Sequence, residues 1–267
     1  VGDFASPLGM NLGKCMLGAV FLGAFLLLGG VEPIDTRTFL VLVLSGVVGI
    51  ALGDTFFFQA LVHLGPRLTV LLGTLGPLLT ITIAVTFLGE RLSVLSWVGA
   101  ALTLTGVTVV LLEDAPSEEH VRSKWKAGVI YALLAALCMS LGIIFAKIGV
   151  ADVSALQATF IRIVAASVGL ALWGCGRGCL GEWLTPFKDV QLLRLIALAV
   201  FVVIFGGFWL SLVSLKYIDA SIATILNSTE PLFVLPLVAL VFKEKVTARG
   251  TFGAFMAVAG VALVFNG

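Results

Sequence analysis

Residues 38–62 read TFLVLVLSGVVGIALGDTFFFQALV, and residues 39–52 within them are apolar on every side. A membrane β-strand alternates apolar and polar side chains over about ten positions, and no such alternation is present. A helix crosses a hydrocarbon layer of ~30 Å with about 20 mostly apolar residues, which this stretch supplies. In lipid a helix satisfies its own backbone hydrogen bonds, so the run is helical despite many β-branched residues.

Similar runs occur outward from it at about 8–29, 67–88, 93–112, 127–149, 155–174, 191–214, 220–242 and 248–266. The expected fold is therefore all-α, a polytopic integral membrane bundle of about nine transmembrane helices. Composition agrees: 60% of the residues are apolar and 12% charged, against roughly 45–50% and about 25% in a soluble domain. Residues 1–7 lack a basic start followed by an apolar core, so they read as a loop rather than a signal peptide.

Several function classes drop out. Net charge is +1 with no basic stripe, which argues against a nucleic-acid partner. There is no H-E-x-x-H, no G-x-S-x-G and no G-x-x-x-x-G-K-[ST], so neither an enzyme nor a direct user of ATP is expected, and no cofactor or resident metal. Cys15, Cys138, Cys175 and Cys179 form no C-x-x-C pair; they read as free thiols, with a Cys175–Cys179 bridge as the alternative.

The chain repeats itself. At an offset of 154 positions Gly53 falls on Gly207, Pro77 on Pro231, Glu90 on Glu244, Gly99 on Gly253 and Gly106 on Gly260. At an offset of 148, Ser6 falls on Ser154 and Lys14 on Arg162. The halves are residues 1–112 and 127–267, joined by a polar linker, 113–126. The second half has one helix more, 127–149, whose counterpart would precede Val1, so a first helix is expected to be missing. A five-helix unit, being odd, places its second copy upside down, and inverted repeats are a transporter architecture with a site near the midplane.

Gly53-Asp54-Thr55, Gln59-Ala60-Leu61, the spacing from Pro77 to Gly89-Glu90-Arg91-Leu92, and Glu230-Pro231 through Lys243-Glu244-Lys245 resemble the EamA family of the drug/metabolite transporter superfamily. The resemblance implies ten helices in two inverted five-helix halves around a central cavity. It implies that helices 38–62, 67–88, 191–214 and 220–242 line that cavity. It also implies both chain ends in the cytoplasm, whereas Arg122, Lys124, Lys126, Lys243, Lys245 and Arg249 favour the opposite orientation by the positive-inside rule.

An ionisable side chain inside a span costs about 2.5–3.5 kcal/mol on insertion scales, so each one needs a reason. Asp54, Thr55 and Gln59 form a polar arc, flanked by His63. Asp54 either binds a cationic group or carries a proton, or it is a carboxylate paired to a neighbouring helix. Thr224, Asn227 and Ser228 share a face and are followed by Glu230 and Pro231. A proline removes one i to i−4 bond, so Pro77 and Pro231 are helix-break positions that leave a carbonyl free. Asn227 and Glu230 are expected to touch substrate or proton. Lys14 and Arg162 are read as snorkelling to the interface, with anion contact as the alternative. Trp209 with Phe56, Phe57 and Phe58 either forms an aromatic cavity wall or packs against lipid and neighbouring helices. Glu90 and Glu244 precede Ser93 and Thr247 and are read as organising helix corners.

The expected function is secondary transport, in the export direction, of a small organic metabolite by alternating access. The alternatives are an ion or metal carrier of the same fold and a non-transporting membrane scaffold. Expected partners are the metabolite, the lipid bilayer, a coupled proton and a second copy in a homodimer, in a bacterial inner membrane.

Overall fold

The computed structural model describes residues 6–88, 93–113, 119–217 and 248–265. In chain order they form α1 (Pro7–Gly29), α2 (Thr36–Ser45), a π-helical segment π1 (Gly46–Leu52), α3 (Gly53–Gly73, two helical pieces joined at a non-helical Gly65), α4 (Leu75–Leu88), α5 (Val94–Glu113), α6 (Glu119–Val150), α7 (Ala155–Gly176), a short α8 (Leu180–Leu184) running into a 3-10 turn (Thr185–Lys188), α9 (Val190–Val202), π2 (Val203–Trp209), α10 (Leu210–Tyr217) and α11 (Ala248–Phe265). Among the described residues, five stretches are long and apolar enough to cross a membrane: Pro7–Gly29, Thr36–Pro66, Ser123–Val150, Ala155–Gly176 and Leu193–Tyr217. Shorter apolar helices lie within α3–α4, α5 and α11. Large apolar side chains such as Leu27, Leu28, Val94 and Trp97 point outward, as they do when the solvent is lipid. The expected span 220–242 lies outside the described residues.

The boundaries correct the sequence reading in four places. The helix expected at 127–149 begins at Glu119, because Glu, Lys and Arg are good helix formers and carry the helix through the second part of the presumed linker. The run 67–88 is two helices, with a turn at Thr74 whose N–H and hydroxyl both donate to Leu71 O. That break lies three residues before Pro77, which has no N–H to give Gly73 O and so removes a bond that would carry the helix across the turn. The connection after α7 is not merely a loop but holds α8. Finally, the runs 38–62 and 191–214 are each interrupted by a π segment. All four cysteines are free.

The chain clusters into two compact units, one within Val1–Phe58 and Leu141–Ala220, the other within Gln59–Ser140 and Ser221–Gly267. Each draws on both sequence halves.

In the first unit α1 packs along α7, and π1 lies against α7. Both α1 and α7 are capped alike: the Ser6 hydroxyl accepts from Gly9 N and the Ser154 hydroxyl from Gln157 N. Leu12, Leu22, Ile163, Ala166 and Ile204 are the buried centre. The chain comes close where side chains are absent. A Cβ on Gly46 would lie 2.2 Å from Arg162 O, and one on Gly142 would lie 2.5 Å from Gly49 Cα. The Ser45 hydroxyl seals that crossing by donating to Gly142 O at 2.6 Å. In α8 and the turn after it, Trp183 and Phe187 occupy the space above Gly9 and Gly13 of α1.

The same unit is tied at its polar ends. Lys147 Nζ donates to Leu215 O at 2.7 Å and Lys216 Nζ to Val153 O at 2.9 Å, a reciprocal pair of lysines on main-chain carbonyls. Gln157 exchanges two bonds with the Glu32 main chain, while the Glu32 carboxylate accepts from Ser154 N. Asp35 caps α2 by accepting from Arg37 N and Thr38 N. Hydrogen bonds from the Thr38 hydroxyl and amide hold its carboxyl below the usual carboxylate range.

In the second unit α5 and α11 pack antiparallel. Gly106 faces Gly253, Thr103 faces Ala257 and Gly260 faces Gly99. These partners are the positions matched by the 154-residue offset, met in reverse order. The Thr103 hydroxyl donates to Gly99 O at 2.9 Å and reaches Ala257 O at 3.3 Å. Small residues let membrane helices approach closely where no hydrophobic force separates them from lipid. Elsewhere the threonines of α4 and α5 fold back on their own helix, Thr82 to Leu78 O and Thr105 to Ala101 O, each at 2.7 Å. Ala60, Leu68, Leu71 and Ala132 form the core beside them, and Ser93 stands immediately before α5.

Candidate functional site

Three buried charged residues of the first unit converge. Lys14, two turns into α1, forms an ion pair with Asp54 at the start of α3. Both are buried, and so is Arg162 of α7 at 6% exposure. Neither Lys14 nor Arg162 snorkels. The expectation treated each helix alone in lipid, whereas α1 and α7 bury these faces against each other and against π1. Of the readings for Asp54, the structure holds the paired carboxylate.

Taking two charges out of water costs several kcal/mol per ion, which their attraction offsets only when the geometry is good and the remaining valences are met. Two aromatic faces help Lys14, its ammonium lying 5.1 Å from the Phe208 ring centre and 5.7 Å from that of Phe58, within the ~6 Å range of cation–π attraction. Arg162 is not so well met. Its Nε is buried without a hydrogen-bond partner, and Asp54 is the carboxylate that acts on it electrostatically. Among the described residues the cluster thus holds two cations and one anion.

Next to the ion pair sits a residue that the sequence reading missed. Asn11, one turn before Lys14 on α1, is fully buried. Its Nδ2 shares two hydrogens among Ile50 O at 2.9 Å, Ala51 O at 3.1 Å and the Thr55 hydroxyl at 3.0 Å, and its Oδ1 accepts from Cys15 Sγ at 3.5 Å. A π turn shifts bonding from i+4 to i+5 and leaves carbonyls turned aside; Asn11 takes up those of π1. The available signal was a lone carboxamide inside the apolar run 8–29. Asn11→Leu should lower stability by about 1–3 kcal/mol, since it removes the buried side-chain donor shared by Ile50 O, Ala51 O and the Thr55 hydroxyl. Thermal unfolding in detergent checks this, and a melting temperature equal to the unsubstituted protein's would refute it.

The other sequence candidates fall as follows. Thr55 is buried beside Asp54. Gln59 belongs to the second unit, half-buried, with its main-chain carbonyl accepting from His63 Nδ1 at 2.8 Å. Trp209 ends π2 with its ring edge-on to Phe205, 6.0 Å between centres. It closes a ladder through Phe201 and Phe205, which pack on Phe21 and Phe25 of α1. Pro77 sits in the first turn of α4. Thr224, Asn227, Ser228, Glu230 and Pro231, with the corner residues Glu90, Glu244 and Thr247, lie outside the described residues.

A buried charge cluster on spanning helices suits passage through a membrane. The family model for EamA-like transporters matches residues 1–112 and 126–266. The chain belongs to the EamA-like transporter family. It is thus a multi-pass membrane protein of a secondary-transporter family, not of an enzyme family, and its setting implies a small-molecule substrate. Among solved structures, one described only as the crystal structure of a protein covers 97% of this chain and 87% of its own, with a TM-score of 0.66 and 20% sequence identity. That likeness speaks for the shared fold. No curated protein matches the chain.

Proposed function

We propose that this EamA-like chain exports a small organic metabolite by alternating access between two inverted repeats, residues 1–112 and 127–267, joined by 113–126. The observation that carries the reading is the ionised cluster of Lys14, Asp54 and Arg162 inside spanning helices. A mere scaffold gains nothing from charges that lower its stability in lipid. The matched serine caps of α1 and α7, and the antiparallel α5–α11 pair of offset-matched glycines, support the inverted duplication.

In this reading Asp54 alternates between Lys14 and a coupled proton, with Thr55, Gln59 and Trp209 facing the transport path. Thr224, Asn227, Ser228 and Glu230 supply polar groups from the second half, and Pro231 breaks its helix as Pro77 does in the first. The membrane is the bacterial inner membrane, and the protein works there alone or as a homodimer. A cation or metal carrier is the weaker reading, because Lys14 already holds the carboxylate and repels a second cation.

Metabolite profiling of the medium from overproducing cells tests the proposal. One compound class should accumulate outside with the unsubstituted protein and fall at least about tenfold, ~1.4 kcal/mol in barrier, with Asp54→Asn or Glu230→Gln at matched membrane abundance. Indistinguishable profiles would remove export as the function.

A further inference from the structure

Two buried cations share one buried carboxylate in the first unit, and one of them is incompletely bonded. Lys14 is spoken for, by Asp54 and by the faces of Phe58 and Phe208. Arg162 is not: it is more than nine-tenths buried, and its Nε has no partner. A guanidinium presents a planar fork of donors that matches the two oxygens of a carboxylate. Among the described residues the cluster therefore lacks one negative charge and an acceptor for Arg162 Nε.

We infer that the molecule carried by this protein bears a single anionic group, a carboxylate, which binds Arg162 beside the Lys14–Asp54 pair. This rests on the transport reading and names the substrate class of the same site. The charge count selects the class. A monoanion brings the cluster to neutrality, whereas a phosphate ester, close to −2 at neutral pH, overshoots it. The aromatic rings flanking Lys14 favour an apolar body attached to the carboxylate.

Binding is measured apart from flux, on the full chain in nanodiscs of neutral lipid. The probes are phenylacetate, its uncharged analogue phenylacetamide and the cationic phenethylamine, read by shift in melting temperature. Phenylacetate should stabilise the protein and the other two should not. Arg162→Gln should abolish the preference, at least a tenfold loss of apparent affinity, and Arg162→Lys should retain part of it. If Arg162→Gln does not fold, the order of the three probes on the unsubstituted protein still decides. Equal stabilisation by the amide, preference for the amine, or an anion preference that survives in Arg162→Gln overturns the inference. So does stabilisation by phosphatidylglycerol discs alone, which makes a lipid headgroup the anion. An anion preference gained only in Glu230→Gln also overturns it, because the chain's own Glu230 is then the missing charge. Counterflow of labelled phenylacetate in proteoliposomes is scored separately: binding without flux removes the transport reading and leaves the anion site standing. Flux of the amine without anion binding removes the inference and keeps the transporter.

Discussion

Asp54→Asn is expected to destabilise the protein by about 3–5 kcal/mol, the usual result of stripping one partner from a buried ion pair. Lys14 and Asp54 are both nearly sealed from solvent, so neither water nor salt can replace the lost carboxylate, and Arg162 then adds a second unopposed charge beside the first. The loss should be much smaller when both partners go together. Lys14→Met with Asp54→Leu fills the same space and leaves Arg162 as the one buried cation of the cluster, and such replacements of a buried pair are often neutral or stabilising. Thermal unfolding in detergent of the two single variants and the double separates the cases through their coupling energy. An Asp54→Asn protein that melts with the unsubstituted one would mean that the pair contributes nothing, and with it the case for a functional cluster would weaken. A double variant that is stable yet transports nothing would show that the charges are kept for passage rather than for folding.

The second large effect is expected at the α5–α11 crossing. Gly106→Leu and Gly260→Leu should each cost about 3 kcal/mol, the upper end of what overpacking usually costs. A Cβ at Gly106 would stand 2.4 Å from Gly253 O and 2.6 Å from Ala257 N, and one at Gly260 would stand 2.4 Å from Thr103 N. These are main-chain atoms, which cannot rotate aside as a side chain can. Gly29→Leu serves as the control, because nothing lies within 4 Å of its Cβ position and lipid accepts the added surface. The measurement is the denaturation midpoint of each variant; if the crossing variants unfold with the control, the two helices do not meet as described. The effects of Gly106→Leu and Gly260→Leu should not add, since one displacement of the helix pair relieves both.

What could be read before the fold was known follows a clear physical line. Long apolar runs and paired glycines are statements about solvent and close approach, and both survive translation into structure. The glycines at 99, 106, 253 and 260 stood out by their spacing, and they are the ones that touch. Asp54 and Thr55 stood out because polarity in hydrocarbon demands an explanation. Their partner did not. Lys14 and Arg162 were assigned to the interface because a long cationic side chain on an isolated helix reaches for water, and only the packing of α1 on α7 closes that route. Asn11 was overlooked for a related reason: its value lies in three acceptors 39 to 44 residues away in the chain. The helix extension through Glu119 was hidden by charge, which marks where lipid ends but not where a helix does.

The π segments were invisible for a different reason, since hydrogen-bond register leaves no trace in composition. π1 and π2 occupy corresponding helices, yet at the 154-residue offset π1 would map three residues ahead of π2. A wheel drawn through residues 38–62 at 3.6 residues per turn therefore loses phase at Gly46. One residue's worth of slip is about 100°, so the face that carries Ser45 says little about the direction of Asp54. Over residues 46–55 and their counterparts 200–209 the two halves of this protein are alike in spelling but not in phase. Within those turns, a map that copies a lining residue from one half onto the other by alignment alone points it to the wrong side of its helix.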